Sequence, residues 1–353
     1  MAIVETQDTA AEHGGYDWFN APSLRRQANH GCDFGDPAAE AVAALDGTVR
    51  VPLCALGTLR VSGADAQDFL QNQLSSDLRR LTPERAQLSS YNSPKGRVLA
   101  VLTLLRDADD VLLELPREIL ADTLQRLRRY VLRAKVKLED ACAALPALGL
   151  AGAQAPALLA QARLPAPCES LDCARSGDLL VLRRPGAIPR YSLHGPAGRL
   201  ASLWSQWSDA AQPAGDQAWR LLDIEAGVPA VYAATSEHFV PQMLALDRLG
   251  AISFDKGCYP GQEIVARVHY LGQLKRGLFK AYSESAAPPG AAVYHAGEPQ
   301  AAGEVVDCAR HPRRGHAVLL VLPLDLPLDA ALSLQRPDGA PLSDLTASMP
   351  PQG

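Results

Sequence analysis

Apolar residues in the first 145 positions recur at two spacings, one typical of short strands and one typical of amphipathic helices. Alternating or continuous apolar runs predict strands at 59–61, 98–105, 111–115 and 134–138. Apolar residues three and four positions apart predict helices at 65–78 and 116–132. Because strands and helices alternate and tight turns join neighbouring strands, the pattern predicts an α+β fold and not a doubly wound parallel sheet.

The character of the chain changes near residue 277. Up to that point the pattern predicts strands at 148–150, 179–182 and 191–194, and helices at 156–162, 200–207 and 218–227. After it, short strands alternate with Pro- and Gly-rich turns, which predicts a small all-β domain. The predicted units are a partly mobile N-terminal arm (1–45), a first α+β domain (46–145), a second α+β region (146–280), a C-terminal β domain (281–345) and a tail (346–353).

One short stretch, residues 256–263 with the sequence Lys-Gly-Cys-Tyr-Pro-Gly-Gln-Glu, places a cysteine just before a predicted helix. Pro260 suits the first helical position, and Gln262 and Glu263 then fall in the first turn. Cys258 would lie near the positive end of the helix dipole with Lys256 close by, and both effects favour a reactive thiolate. The residues alone leave a second interpretation open, in which Cys258 is a small buried side chain without chemistry.

Composition excludes several classes of protein. The chain has 353 residues, of which 47% are hydrophobic and 21% charged, as in ordinary soluble domains. A net charge of -5 gives no overall attraction to nucleic acid or to anionic membranes. No apolar run approaches the ~20 residues that span a bilayer. The N-terminal residues lack the pattern of a signal peptide, so we expect a cytoplasmic protein.

The seven cysteines are scattered and include no Cys-x-x-Cys pair. An odd count in a long chain predicts reduced thiols and no disulfide framework. No set of ligands has the spacing of a structural zinc or iron–sulfur site, so we expect no resident metal. A basic stretch at 126–137 is interpreted as a solvated face and not as an RNA-binding surface, because Tyr130 is its only aromatic residue.

The stretch at 256–263 resembles the signature octapeptide Lys-Gly-Cys-Tyr-x-Gly-Gln-Glu of the YgfZ family, whose members are related to the glycine-cleavage T-protein, an aminomethyltransferase. Further blocks of the chain are similar to that family. They are 69–71 with 73–74 and 77, 129–133 with 135–136, 235–237, 239–243 and 264–267. Including weaker matches outside these blocks, the similarity extends from about residue 53 to about residue 277.

The resemblance implies a T-protein-like fold with two interleaved α+β domains and a C-terminal β-barrel around a central folate cleft. It also implies a folate-binding protein, with tetrahydrofolate or another reduced folate as cofactor, that supports the assembly or repair of iron–sulfur clusters. The expected partners are iron–sulfur client enzymes, including tRNA-modification enzymes, or cluster carriers. We expect a monomer with no direct contact to nucleic acid or membrane.

The resemblance also assigns roles to individual residues. Cys258 would be the redox-active or cluster-contacting thiolate, and Lys256 would tune it. Gly257 and Gly261 would shape the turn, and Tyr259, Gln262 and Glu263 would complete the motif. Glu237 would bind the pterin through its carboxylate, an interpretation that the resemblance favours over a helix N-terminal cap. Asn92, Lys95 and Arg97 would contact the folate, whereas the residues alone favour an exposed basic hairpin.

Two alternatives stay open. One is an enzyme of T-protein type, a folate-dependent aminomethyltransferase or demethylase. By the resemblance, Leu99 and Ala100 stand where the T-protein has an acidic pair that includes its catalytic aspartate, and this difference weighs against aminomethyl transfer. We therefore expect an accessory factor more than a classical transferase. The other alternative is a scaffold that docks a cluster carrier and retains only a vestigial folate pocket.

Overall fold

The structure is a computed structural model, and it describes residues 21, 23–26 and 31–348. The N-terminal part of the predicted arm (residues 1–20, 22 and 27–30) and most of the predicted tail lie outside the described residues. Within the described residues, no helix combines the length and the apolar character needed to cross a membrane.

The described helices and strands alternate along the chain, as the hydrophobic pattern predicts. The strands are β1 (Arg25–Arg26), β2 (Cys32–Asp33), β3 (Thr48–Pro52), β4 (Leu56–Ser62), β5 (Gln87–Asn92), β6 (Val98–Asp107), β7 (Asp110–Pro116), β8 (Lys137–Asp140), β9 (Ala147–Gly152), β10 (Cys173–Ser176), β11 (Leu179–Arg183), β12 (Arg190–His194), β13 (Gln212–Pro213), β14 (Arg276–Ser283), β15 (Ala292–His295), β16 (Ala301–His311), β17 (Gly315–Pro323), β18 (Leu332–Leu334) and β19 (Ser343–Ala347). The α-helices are α1 (Pro37–Asp46), α2 (Ala66–Gln71), α3 (Leu120–Arg128), α4 (Ala155–Gln161), α5 (Ala197–Gln206), α6 (Asp216–Glu225) and α7 (Gln262–Tyr270).

Two sheets are interleaved in the sequence up to residue 213, because the strands of one lie between two neighbouring strands of the other. β3 pairs antiparallel with β9 in a six-stranded sheet of order β10-β11-β12-β9-β3-β13. Between β3 and β9 the chain forms a separate five-stranded sheet of order β5-β6-β7-β4-β8. The first sheet is therefore completed only after the whole second sheet has been built, and the predicted interleaving of two α+β units is confirmed.

The C-terminal sheet is antiparallel and contains six strands in the order β18-β15-β16-β17-β14-β19. Its edge strands β18 and β19 are not neighbours in this order, so the predicted barrel is formed as a curled half-barrel. α6 packs against β16 and connects this sheet to the rest of the molecule. The hydrophobic core on this side joins Ile224 of α6, Val306 of β16 and Val265 of α7.

Some predicted element boundaries are wrong. The predicted helix 65–78 ends as an α-helix at Gln71, because Leu74 forms a bridge with Tyr91 and Ser75 hydrogen-bonds to Ser90 on β5. The predicted helix 116–132 begins with a 3-10 turn and ends at Arg128.

Candidate functional site

The signature segment forms an exposed loop that leads into α7. Cys258 and Gly257 are exposed on this loop, whereas Lys256 and Tyr259 are buried. Gln262 and Glu263 fall in the first turn of α7, as predicted. Pro260 does not occupy the first helical position, because Gly261 takes a left-handed conformation (φ 78°) that turns the chain before the helix begins.

Lys256 fixes this loop to a distant part of the chain. Its Nζ donates hydrogen bonds to the backbone oxygens of Gln71 at 2.6 Å, Leu74 at 2.6 Å and Ser76 at 2.8 Å. An ammonium group has three N–H donors, so these carbonyls use its full capacity. Burial lowers the pKa of Lys256 to about 8, and the nearby carboxylate of Asp77 opposes this effect. These hydrogen bonds give Lys256 a structural role. That Lys256 also favours the thiolate form of Cys258 stays a prediction.

The segment that receives Lys256 is itself braced by Asp77. The Asp77 carboxylate accepts hydrogen bonds from Gln71 Nε2 at 3.0 Å and from Arg79 Nε at 2.8 Å. The hydrogen bonds from Arg79 are the main reason why the pKa of Asp77 is lowered to about 2. Gln71 and Asp77 belong to the N-terminal block that resembles the YgfZ family, so two sequence blocks that are far apart in the chain form one unit.

Gly261 brings the signature against the turn at 92–97. A Cβ atom on Gly261 would lie 2.5 Å from the backbone oxygen of Ser93 and 2.6 Å from Cα of Gly96. No larger residue fits this contact without moving the backbone of the turn. Gly257 differs, because a Cβ there would meet no atom within 4 Å apart from its own chain neighbours. The surface above Gly257 and Cys258 is therefore open.

The four predicted folate contacts come together beside the signature. Lys95 is exposed, and Arg97 Nη1 donates to the backbone oxygen of His238 at 2.7 Å. Glu237 is exposed with φ 68°, and its backbone N–H donates to Val98 at 2.8 Å. Asn92 is 1% exposed, and neither polar atom of its side-chain amide has a hydrogen-bond partner among the described residues.

A cavity of about 470 Å³ lies elsewhere, at the centre of the molecule between the three larger sheets and α6. Apolar side chains form much of its wall, among them Leu53, Leu56, Leu88, Val101 and Trp219. The four predicted folate contacts do not line it. The strand β6 contributes Val101, Leu102 and Thr103 to the wall, so the part of β6 that lines the cavity carries no carboxylate.

One wall of the cavity holds a buried carboxylate. Glu114 is 2% exposed and accepts hydrogen bonds from Arg184 Nη2 at 2.7 Å and 2.6 Å. His194 Nε2 lies 2.8 Å from the same carboxylate. Burial alone would raise the pKa of Glu114, but the charge of Arg184 and the hydrogen bonds from Arg184 and His194 outweigh it and the net pKa is lowered. Glu114 is therefore an ionised acceptor at neutral pH.

The cavity lining holds a second network, formed by Arg220, Asp307 and Tyr232. Arg220 hydrogen-bonds to Oδ1 of Asp307, and the Tyr232 hydroxyl donates to Oδ2 at 2.9 Å. Burial opposes the charge on Arg220, but the interaction with Asp307 dominates and raises its pKa. Sequence reasoning missed both networks, because their members are dispersed from residue 114 to residue 307 and no local motif joins them.

Residues 37–256 match the family described as the GCVT N-terminal domain. The tRNA-modifying protein YgfZ of Edwardsiella ictaluri is 35% identical over 290 residues, which are 78% of this chain and 85% of that protein. Its counterpart in Colwellia psychrerythraea is 33% identical over 239 residues, 67% of this chain and 72% of that protein. The crystal structure of glycine cleavage system aminomethyltransferase T from Bartonella henselae superposes with a TM-score of 0.73 at 17% identity and covers 88% of this chain and 87% of that chain. The predicted T-protein-like fold is thereby confirmed.

Proposed function

The chain belongs to the YgfZ family, and from this membership we propose that it is a folate-binding accessory protein for iron–sulfur client enzymes, including enzymes of tRNA modification. In this proposal it supports the assembly or repair of their clusters through the thiol of Cys258. The observation that carries the proposal is the exposed position of Cys258 on a loop that Lys256 and Gly261 hold in place. We further propose that it acts as a monomer in the cytoplasm.

Exposure and rigidity make Cys258 suited to contact a partner. Of the seven cysteines, all of which lie in the described residues, only Cys168 and Cys258 are exposed. A thiol reacts or ligates only where a partner reaches it. The open surface above Gly257 lets another protein approach Cys258 closely, whereas the anchored neighbours Lys256 and Tyr259 keep the loop from collapsing over it.

The central cavity supports the folate part of the proposal. Its volume of about 470 Å³ lies in the range of small-molecule sites. A reduced folate carries a flat aminopyrimidinone ring edged with N–H donors, and the aromatic residues Trp219 and Tyr232 are among those that line the cavity. Asp223 lines the cavity with a partly exposed carboxylate that can accept hydrogen bonds, and the Arg184–Glu114 and Arg220–Asp307 pairs give the cavity wall a fixed polar surface. The bound folate would supply one-carbon or redox chemistry, whereas these residues bind and orient it.

The cluster-repair part can be tested with a purified client enzyme. The client is treated with oxidant until its cluster is damaged and is then incubated with iron, a sulfide source and this protein. We expect the wild-type protein to speed recovery of the cluster absorbance and of client activity. Cys258→Ser should remove that effect, whereas Cys168→Ser, which changes the other exposed thiol, should not. If the client recovers as fast with Cys258→Ser as with Cys168→Ser and the wild type, Cys258 has no role in the repair.

The folate part can be tested by calorimetry with tetrahydrofolate. Val101→Phe places a larger side chain into the cavity and should weaken binding at least about tenfold, since one lost contact of 1.4 kcal/mol has that effect. Lys95→Ala changes an exposed residue outside the cavity that the resemblance assigns to the folate, and it tests the alternative site at the 92–97 turn. Normal binding to Val101→Phe together with weak binding to Lys95→Ala would place the folate at the 92–97 turn and not in the cavity.

An activity assay on the purified wild-type protein distinguishes an accessory factor from an aminomethyltransferase. Leu99 and Ala100 are buried apolar residues at the positions where the resemblance expects an acidic pair. We therefore expect no methylene-tetrahydrofolate when the protein is incubated with tetrahydrofolate and an aminomethyl donor. Turnover would favour the aminomethyltransferase alternative.

A further inference from the structure

A cluster of metal-ligating side chains lies beside the central cavity and is not part of the signature. Cys32 on β2, Cys54 after β3 and Asp216 at the start of α6 place their ligand atoms within 4.8 Å of one another. All three residues are buried. We propose that these residues bind a thiophilic divalent cation, Zn²⁺, in the wall of the cavity.

The donor set and its spacing suit zinc. Zinc binds thiolates at about 2.3 Å and carboxylate oxygens at about 2.1 Å, so tetrahedral ligand atoms lie roughly 3.5 to 3.8 Å apart. The separations in the cluster allow that arrangement with small side-chain adjustments. Two thiolates select zinc over the harder ions magnesium and calcium, which take oxygen ligands.

The cluster is held in place by its surroundings. Oδ2 of Asp216 accepts a hydrogen bond from the backbone N–H of Cys32 at 2.8 Å, and Oδ1 accepts one from that of Ala55 at 2.9 Å. Gly215 permits this approach, because a Cβ there would lie 2.0 Å from the backbone oxygen of Cys32. Three segments of the chain therefore converge on one point, and the ligating groups are positioned before any ion binds.

The position of the cluster leaves one coordination place for a further ligand. Zinc takes four ligands, and the protein supplies three, which is the composition of sites that keep a water or substrate position. Gly31, Leu53 and Ala55, the chain neighbours of the two cysteines, line the central cavity together with Asp216. The fourth ligand would come from the cavity, as a water molecule or as a donor atom of a bound molecule.

Binding also has a defined proton balance. Two S–H bonds break and two S–Zn bonds form, and the two protons pass to solvent. Two thiolates and one carboxylate around Zn²⁺ leave one net negative charge, and Arg220 in the same cavity interacts electrostatically with Asp216. Metal affinity should therefore rise with pH, as it does wherever thiols must lose protons on binding.

The test uses the full chain, reduced and stripped with a chelator, and titrated with Zn²⁺ against a chromophoric competitor. We expect one ion per chain, a higher melting temperature with zinc, and a thiolate-to-metal charge-transfer band when Co²⁺ replaces Zn²⁺. Cys32→Ser and Cys54→Ser should each weaken binding by more than the about 10- to 100-fold that loss of an outer-shell partner costs. Cys142→Ser and Cys173→Ser, at buried cysteines outside the cluster, are the matched controls.

The wild-type cobalt spectrum decides the question even where a variant does not fold, because it reports thiolate ligands directly. Absence of the charge-transfer band, or zinc binding that survives both Cys32→Ser and Cys54→Ser, would overturn the proposal. Mass spectrometry provides a further check. A Cys32–Cys54 disulfide formed under mild oxidant in a protein that binds no zinc would show a redox pair in place of a metal site.

Discussion

The ammonium of Lys256 donates hydrogen bonds to three backbone carbonyls at once, so a substitution of Lys256 tests whether these bonds stabilise the signature loop. Lys256→Met keeps the length and apolar body of the side chain but removes every donor. The carbonyls of Gln71, Leu74 and Ser76 then lose a charged partner, so we expect a loss of about 3 kcal/mol in the free energy of unfolding, measured by urea denaturation. A loss below about 0.5 kcal/mol would contradict the structural role.

The titration of Lys256 gives this residue a second, independent signature. The folded pKa is about 8 and the reference value is 10.5, so between these limits the unfolded state holds the proton and the folded state releases it. Stability rises with pH wherever the unfolded state binds more protons. The free energy of unfolding of the wild type, relative to Lys256→Met, should therefore increase from about pH 8 to about pH 10.5 and stay constant below about pH 8. If the free energy of unfolding of the wild type, relative to Lys256→Met, instead decreases over this pH range, the lowered pKa of Lys256 is contradicted.

The sequence indicated Cys258 and the start of the signature helix, but it could not indicate where Lys256 points. Charge and helix position depend on neighbours in sequence, so Gln262 and Glu263 in the first turn were predictable. The partners of Lys256 are backbone carbonyls 180 to 185 residues away in the sequence. Backbone carbonyls are present in every residue, so no sequence pattern reports which of them will meet a given lysine.

At the scale of elements, two glycines of the same motif differ in whether the structure has room for a larger side chain. Gly261→Ala places a Cβ against the backbone of the 92–97 turn and forces a left-handed conformation on alanine, so we expect a loss of more than about 2 kcal/mol. Gly257→Ala meets open space and should change stability by no more than about 0.5 kcal/mol. Thermal unfolding of the two variants checks both values.

Gly257→Ala also serves as a probe of function. If it folds normally but fails to support client enzymes, the open surface beside Cys258 is occupied by a partner. Equal stability of both glycine variants would contradict the packing of α7 against the turn.

Element boundaries were less predictable than element types for a physical reason. Helical spacing continues past Gln71 in the sequence, yet the chain leaves the helix because Ser75 and Leu74 bond to β5. Ser75 also donates through its hydroxyl to the backbone oxygen of Ala251 at 2.7 Å. These tertiary contacts outweigh the local propensity, and they appear only when strands and helices are already in place.

At the scale of the whole molecule, the interleaved sheets create the central cavity. Its walls come from residues as distant as Gly31 and Asp307. The fold class followed from alternating strands and helices together with the family resemblance. The charged groups of the cavity did not, because Glu114 meets Arg184 and His194 only when the two N-terminal sheets face each other. Those pairs are the part of the site that only a three-dimensional structure supplies.

The measurement that tests the central claim most directly is complementation in cells that lack this protein, read out as the level of a tRNA modification made by an iron–sulfur enzyme. We predict that Cys258→Ser fails to restore the modification, although it folds and binds tetrahydrofolate as the wild type does. We also predict that Cys168→Ser restores it fully. Full restoration by Cys258→Ser at wild-type expression would contradict the account, because the exposed thiol of the signature would then have no part in the function.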